Sequence, residues 1–546
     1  MKLLTLLFSA GALVAGAAAG AVHVPGTKPD NVNEPLQFRL AYAGTTGMSV
    51  TWNTWSKVDR PTVYYGENVW DLSSTAEGSS TTFNASTTYN NHVKVTGLKP
   101  NTKYYYTVTN QNCYNCSETP AYSFTTAREP GDYTPYTIAV AIDLGLMGRD
   151  GLSAYTPDDA LMPNETNTIQ SLDRYIDGYD FIWQPGDIAY ADYWLKEQVQ
   201  KYRRWVPIEE GWTAYELLTN EFFEEMSPIT ARKPWMVGPG NHEANCDGSG
   251  VTDADTNQTW TYDICAPGQR NFTNYRHRFN MPAEESGGVE NFWYSWDHGM
   301  VHYIELNTET DIGDGFIGPD EPNGTYKLDS GPFGSYANQQ VDWLRDDLAK
   351  VNRTKTPWII VSGHRPFYAS FDNNPNSICD ECREVFEPLF IEYNVDLVFA
   401  GHIHMYNRND PMNNNVSDPN GLNNPSSPWY ILNGAAGHYD GLDVAQYPLR
   451  PYTRKNIDGV YGWSRVTIHN CTHMTHDFIA SGNGSVLDTA TLYKNHTCGI
   501  AATATSNSSS NYTGSTALPT TNAGGRLGQG AVVVAVVAAA VGSLMM

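Results

Sequence analysis

Val398-Phe399-Ala400-Gly401-His402-Ile403-His404 is the stretch around which the rest of the chain makes sense. The run Val395 to Ala400, carrying Leu397, Val398 and Phe399, reads as a buried strand. It ends in a glycine and then two histidines. A buried strand holds a ligand rigidly at its carboxyl end, and a glycine lets the backbone turn there with no side chain in the way. Two imidazoles at this spacing can reach different sides of one small site, which reads as half of a two-metal centre. The plainer alternative for this stretch taken alone is a pair of surface histidines following a strand.

Four other strand ends extend the pattern. Tyr136–Ile142 leads into Asp143-Leu144-Gly145, and Asp180–Trp183 into Gly186-Asp187-Ile188-Ala189-Tyr190. Trp235–Val237 leads into Gly240-Asn241-His242-Glu243, and Trp358–Val361 into Ser362-Gly363-His364-Arg365. In an open α/β fold, ligands gather outside the carboxyl ends of the strands, so one site can collect all five. Carboxylate, imidazole and amide oxygen together suit iron, zinc or manganese rather than a thiolate site. A carboxylate can bridge two cations, which two-metal hydrolases hold about 3.5–4 Å apart. A phenolate from Tyr190 would be a hard anionic ligand suited to Fe(III). Arg365 is open to two readings, a phosphate contact or a support beside His364.

Around these strands the sequence alternates short apolar runs with helical stretches, Thr168–Ile176, Ala214–Met226, Ala337–Val351 and Cys382–Tyr393 among them. Val341, Leu344 and Leu348, at spacings of three and four, mark the third helix. The Asn-rich segment Asn409–Pro425 reads as a long loop, and Trp429–Leu432 and Gly462–Ile468 as further strands. Nearer the amino terminus, Leu36 to Thr126 alternates as an all-β stretch, with Met48-Ser49-Val50-Thr51-Trp52 and Tyr104-Tyr105-Tyr106-Thr107-Val108 as its clearest strands. The segment Val95–Val108 resembles a fibronectin type III sandwich, in which Trp52 would be the core tryptophan. The expected fold is thus a fibronectin III-like β-sandwich over 36–128, followed over 136–495 by an α/β domain, a β-sandwich with flanking helices and a metal site at its strand ends.

The 546 residues carry a net charge of −25, which argues against a nucleic-acid partner. Lys2, the apolar run Leu3–Val14 and the small residues through Ala21 have the order of a secretory signal peptide over 1–21. At the other end, residues 499–522 read as a Ser/Thr/Asn-rich stalk. Residues 523–546 read as a GPI-attachment propeptide, with a tail-anchored helix as the alternative: small residues, a polar spacer, then an apolar tail from Ala531. Asn-x-Ser/Thr acceptors recur from Asn84 to Asn511, as in a glycosylated cell-surface protein. In an oxidising compartment the eight cysteines are expected to pair locally, as 113–116, 246–265, 379–382 and 471–498, with a zinc ribbon as the alternative for the two CxxC pairs.

Taken together, Asp143-Leu144-Gly145, Gly186-Asp187-Ile188-Ala189-Tyr190, Gly240-Asn241-His242-Glu243, Gly363-His364-Arg365-Pro366 and Gly401-His402-Ile403-His404 resemble the motifs of the purple acid phosphatases. These are binuclear metallophosphoesterases with a fibronectin-like domain before the catalytic one, and the resemblance covers about residues 36 to 490. It implies that Asp143, Tyr190 and His404 bind a ferric ion, with Asp187 as the bridge. Asn241, His364 and His402, with the same Asp187, would bind a divalent ion: zinc, iron or manganese. Where the wider class has Asp-x-His, Gly145 stands here, and Tyr190 would supply the replacement ligand. The implied reaction is hydrolysis of a phosphate monoester by metal-activated hydroxide. His242 is the candidate for stabilising the transition state or protonating the leaving alcohol, and Glu243 is read as supporting rather than catalytic.

The chain departs from the plant-type pattern in one place. Those members carry a histidine pair shortly after the fourth motif, whereas Phe367-Tyr368-Ala369-Ser370-Phe371-Asp372-Asn373-Asn374 has none. His438 is open to two readings, an imidazole turned into the site or, as the better one, a structural histidine. Two rival functions stay open at this level: a metallophosphodiesterase of the same superfamily, against which Gly145 and Tyr190 count, and an inactive cell-wall adhesin, against which the complete ligand set counts.

Overall fold

Apolar and polar residues alternate along Met48–Thr54, yet every residue of this strand is buried. One face, Met48, Val50 and Trp52, fills the interior of a sandwich. The other face, Ser49, Thr51 and Asn53, is covered because the strand's sheet lies against the α/β domain. The computed structural model describes residues 23–108, 121–146, 164–199, 203–244, 266–310, 339–371, 377–437 and 441–499. Within them, Leu36–Tyr42, Met48–Thr54, Tyr89–Val95 and Ser79–Thr81 form one antiparallel sheet. Thr62–Gly66, Ser74–Glu77, Lys103–Val108 and Tyr122–Thr125 form the second.

This sandwich is fastened to the α/β domain by backbone groups as well as side chains. Thr230 Oγ1 donates to the Phe38 carbonyl (2.6 Å) and Tyr106 Oη to the Ala231 carbonyl (2.9 Å). Arg39, buried in the seam, donates to Asn53 Oδ1 (2.8 Å) and to the Arg278 carbonyl (3.2 Å). Polar residues can be buried here because each finds partners.

The α/β domain is two sheets face to face. In the first, Trp235–Gly238, Ile182–Pro185 and Tyr136–Val140 run parallel, and Gly462–Ile468, His473–Ala480 and Val486–Tyr493 continue antiparallel. In the second, Val301–Glu305, Trp358–Ser362, Leu397–Ala400 and Trp429–Asn433 are parallel, with Tyr294–His298 antiparallel on one side and Tyr406–Asn413 antiparallel on the other. Aromatic rings lock the sheets together: Trp183 lies 5.2 Å from Trp296, and Tyr406 lies 4.4 Å from Phe478. Such edge-to-face and offset pairs add specificity to the apolar burial. Helices Gly211–Thr230, Gln339–Lys350 and Asp380–Glu392 flank the sheets.

The expected strands and helices occur with ends shifted by a few residues. One expectation is corrected: the Asn-rich stretch after Tyr406 begins as the strand Tyr406–Asn413. It pairs with Trp429–Asn433 on one side and Thr453–Ile457 on the other, so pairing on both edges overrides the low strand propensity of asparagine. Cys379–Cys382 and Cys471–Cys498 are disulfides, which excludes a zinc ribbon at the second CxxC. The pairs 113–116 and 246–265 lie outside the described residues, as do the expected signal peptide and the tail from 500 onward. Among the described residues no helix is long and apolar enough to cross a membrane.

Candidate metal centre

Strands of both sheets end at one edge, and the backbone turns sharply there. Asp143, Asp187, Tyr190 and His402 adopt left-handed φ of 61°, 48°, 50° and 71°. Each such conformation costs a non-glycine residue about 1–2 kcal/mol, and it persists where the surroundings over-determine it, most often at functional sites. Two glycines show how closely the chain is drawn in. A Cβ on Gly240 would collide with Asp187 Oδ1, and one on Gly401 with Asp143 Oδ2.

Tyr190 Oη is surrounded by Asp143 Oδ1 (2.9 Å), Asp187 Oδ2 (3.1 Å) and His404 Nε2 (2.9 Å). His404 Nδ1 faces the Gly441 carbonyl (3.3 Å), so Nδ1 carries the ring proton and Nε2 presents a lone pair. One hydroxyl proton therefore meets three acceptors. A second cluster adjoins the first. Asn241 Oδ1 lies 3.1 Å from His364 Nε2 and 2.9 Å from His402 Nδ1, and His364 Nε2 lies 2.9 Å from Asp187 Oδ2. His364 Nδ1 is committed to the Pro185 carbonyl (3.2 Å), which turns Nε2 inward toward Asp187 and Asn241. Among the described residues, Asp187, His364 and His402 are a group whose donor atoms lie close enough to hold one ion. Asp187 belongs to both clusters.

Acidity follows from this crowding. Burial pushes the Asp143 carboxyl up to about 7 against the pull of His364 and His404, with the Asp187 charge adding to the rise. Burial, then Asp143 and Asp187, hold the Tyr190 phenol well above its ordinary value. Burial opposes ionisation of Asp187 too, but the facing imidazoles of His364 and His242 keep it well below the usual carboxylate range. His364 rises to about 9 because Asp187 and Asp143 outweigh its burial. Such a cluster takes up protons where cations would otherwise sit, and cation binding expels them.

His242 stands beside both clusters. Its backbone N–H donates to Asp187 Oδ1 (2.9 Å), its Nδ1 pairs with Asp192 Oδ2 (2.6 Å), and its Nε2 lies 3.9 Å from Asp187 Oδ2. The ring is gripped between Tyr190 and Tyr193, at 4.2 and 4.8 Å between centroids. Arg365 is not turned to the open side of the site. It is buried, bonded through Nε and Nη2 to the Glu309 carboxylate, with Nη1 3.1 Å from His402 Nε2. All eight residues singled out from the sequence thus meet at one edge, while His438 lies outside the described residues. Sequence reasoning missed Asp192, Glu309 and Asp443, the last of which accepts the His404 backbone N–H (2.7 Å). Only Asp192 left a signal, an acid set inside the aromatic run Tyr190–Trp194.

The donor set fits a pair of cations: two carboxylates, a phenol, an amide oxygen and three imidazoles, buried and facing one another with more lone pairs than protons. Comparison with known proteins agrees. Family models match in three places: "Purple acid Phosphatase, N-terminal domain" over 35–126, "Calcineurin-like phosphoesterase" over 160–406, and "Iron/zinc purple acid phosphatase-like protein C" over 427–489. Acid phosphatase A of Cryphonectria parasitica is 38% identical, over 89% of this chain and 96% of its own. An acid phosphatase of Aspergillus ficuum is 30% identical, over 87% and 89%. The structure of a purple acid phosphatase from yellow lupin seeds shares the fold, with a TM-score of 0.62 at 21% identity, covering 87% of this chain and 78% of the lupin chain. With these relatives and this site, the chain belongs to the purple acid phosphatase family and hydrolyses phosphate monoesters at a binuclear metal centre.

Proposed function

We propose that Asp143, Tyr190 and His404 hold a ferric ion, that Asn241, His364 and His402 hold a divalent ion (zinc, iron or manganese), and that Asp187 is shared. The observation that carries this is the set of three acceptors around Tyr190 Oη, an arrangement that a single hydroxyl proton leaves over-supplied and a cation balances. When bound, the pair supplies Lewis acidity that activates water and polarises a phosphoryl oxygen. The protein's own part is to aim and to protonate. Asp192 fixes the tautomer and orientation of His242, so Nε2 faces the reacting side, where it hydrogen-bonds the phosphoryl group or gives its proton to the leaving alcohol. Phe367 to Phe371, where a plant-type pair would begin to be sought, are buried and carry no imidazole. His242 is therefore the candidate acid among the described residues. Arg365, committed to Glu309, supports His402 rather than binding phosphate.

The test is a visible spectrum with metal analysis of the purified protein. A phenolate-to-iron charge-transfer band that is lost in Tyr190→Phe is the expected outcome, and a colourless protein holding only zinc would sink the ferric assignment.

We propose as domain boundaries 36–128 for the sandwich and 136–495 for the catalytic domain. We read the chain as secreted and held at the cell surface or wall by a GPI anchor. The acceptor asparagines Asn84, Asn164, Asn271, Asn352, Asn415, Asn470, Asn483 and Asn495 are all exposed, which supports N-glycosylation. Treatment with an endoglycosidase and with a phosphatidylinositol-specific lipase would test the two modifications separately.

A further inference from the structure

Glu243 follows two residues after Asn241 and has no role in the phosphoryl chemistry proposed above, yet its carboxylate receives three backbone N–H groups. Oε2 accepts from Gly240 (2.8 Å) and Asp187 (2.9 Å), and Oε1 accepts from Ile188 (2.8 Å). These donors belong to two separate strand-end turns, one delivering Asp187 and the other Asn241. The exchange is mutual: Glu243 of the second turn takes the N–H of Asp187, while Asp187 Oδ1 takes the N–H of His242 (2.9 Å). At Asp187 the left-handed backbone, φ 48°, points an N–H away from any ladder, and the Glu243 oxygen is what it meets.

We propose that Glu243 is a positioning residue for the metal pair, a clamp that holds the two turns in register so that Asp187 and Asn241 present oxygens to the same ion. The proposal rests on the assignment of Asp187 and Asn241 as ligands. Chemistry dictates why the clamp is a carboxylate. Two acceptor oxygens face donors only, and a glutamine would keep one oxygen and set an NH₂ against backbone N–H. Partners of this kind, one step behind a ligand, typically change metal affinity about 10–100-fold when replaced.

The experiment uses the full-length holoenzyme and its Glu243→Gln, Glu243→Asp and Asp187→Asn variants. Each is dialysed against a chelator, with retained metal, thermal unfolding, kcat and KM followed. Glu243→Gln is expected to unfold near the wild-type temperature, to lose the divalent ion at least tenfold faster and to lose kcat with KM little changed. Added divalent metal should recover part of kcat, and Glu243→Asp should lie between the two. Wild-type metal retention in Glu243→Gln, alongside metal loss in Asp187→Asn, would overturn the clamp and leave the ligand assignment standing. Full retention in Asp187→Asn would overturn the ligand assignment itself. If Glu243→Gln and Glu243→Asp both fail to fold, Glu243 serves the fold rather than the centre, and the proposal falls.

Discussion

In the role proposed for it, His242 works in one orientation only, and Asp192 sets that orientation. A neutral imidazole has one N–H, and a carboxylate at 2.6 Å from Nδ1 claims it, or stabilises the ring when both nitrogens carry protons. Asp192→Asn keeps the shape but can present its NH₂ to Nδ1, which favours the opposite tautomer. We expect kcat to fall about 100-fold with metal content unchanged, the scale of a mis-set acid–base group. Steady-state kinetics beside metal analysis would check it, and loss of metal instead would make Asp192 part of the binding shell. The proposed ligands were legible in the sequence because each follows an apolar strand and a turn within a few residues. Asp192 and Glu309 were not, because what they do is decided by side chains distant in sequence or packed across a turn. Nothing near Glu309 announces that Arg365 will fold onto it.

At the scale of elements, the second sheet needs its edge tied down, and His302 does this. Lying on Val301–Glu305, it joins Asp297 of the edge strand (2.7 Å) to Asp347 of helix Gln339–Lys350 (2.8 Å). Burial alone would lower its pKa, but hydrogen bonds to Asp297 and Asp347 and their charges raise it to about 10. A raised histidine contributes stability that is complete below its unfolded value, about 6.5, and is lost as pH climbs through the folded value near 10. His302→Gln should therefore cost a few kcal/mol, on the order of 2–4, at pH 6 and much less at pH 10. Denaturant unfolding at the two pH values measures the difference, and an equal cost at both would reject this role. The parallel strands themselves were easy to foresee, since strands buried on both faces read as apolar runs. Tyr406–Asn413 was hidden for the converse reason. Its buried asparagines are satisfied across the sheet, as Asn407 Nδ2 is by Asn456 Oδ1 (2.7 Å), and such partners leave no local pattern.

Over the whole molecule, the excess of acidic groups, 59 against 34 basic, makes neutral pH a condition of self-repulsion that mild acid relieves. Acid helps only while the carboxylates that tie strands and helices together stay ionised, and two of them are held in that state. Asp180 is lowered to about 2, because His298 and Arg128 outweigh its burial. Asp396 goes lower still. At the foot of the strand that ends in Gly401-His402-Ile403-His404, its Oδ2 takes the Ile359 N–H (2.9 Å) and Arg353 Nη2 (3.0 Å), while Oδ1 faces Lys494 (3.4 Å) and His496 (3.2 Å). Burial works against the charge, and these cations overcome it. One carboxylate thereby binds the helix end before Trp358, two parallel strands and the segment that closes the catalytic domain. A depressed carboxylate contributes stability above its unfolded value, about 3.9, and loses it as pH falls toward the folded value. Asp396→Asn, which leaves Arg353, Lys494 and His496 without their acid, should cost about 3–5 kcal/mol at pH 5. Below about pH 4 that cost should shrink, because the unfolded wild type takes up a proton that the folded Asp396 still refuses. Thermal unfolding across this range is the measurement. A variant as stable as wild type at pH 5 would mean that the cations find other partners, and that resistance to acid is spread over the surface rather than anchored beneath the strand that leads to His402 and His404.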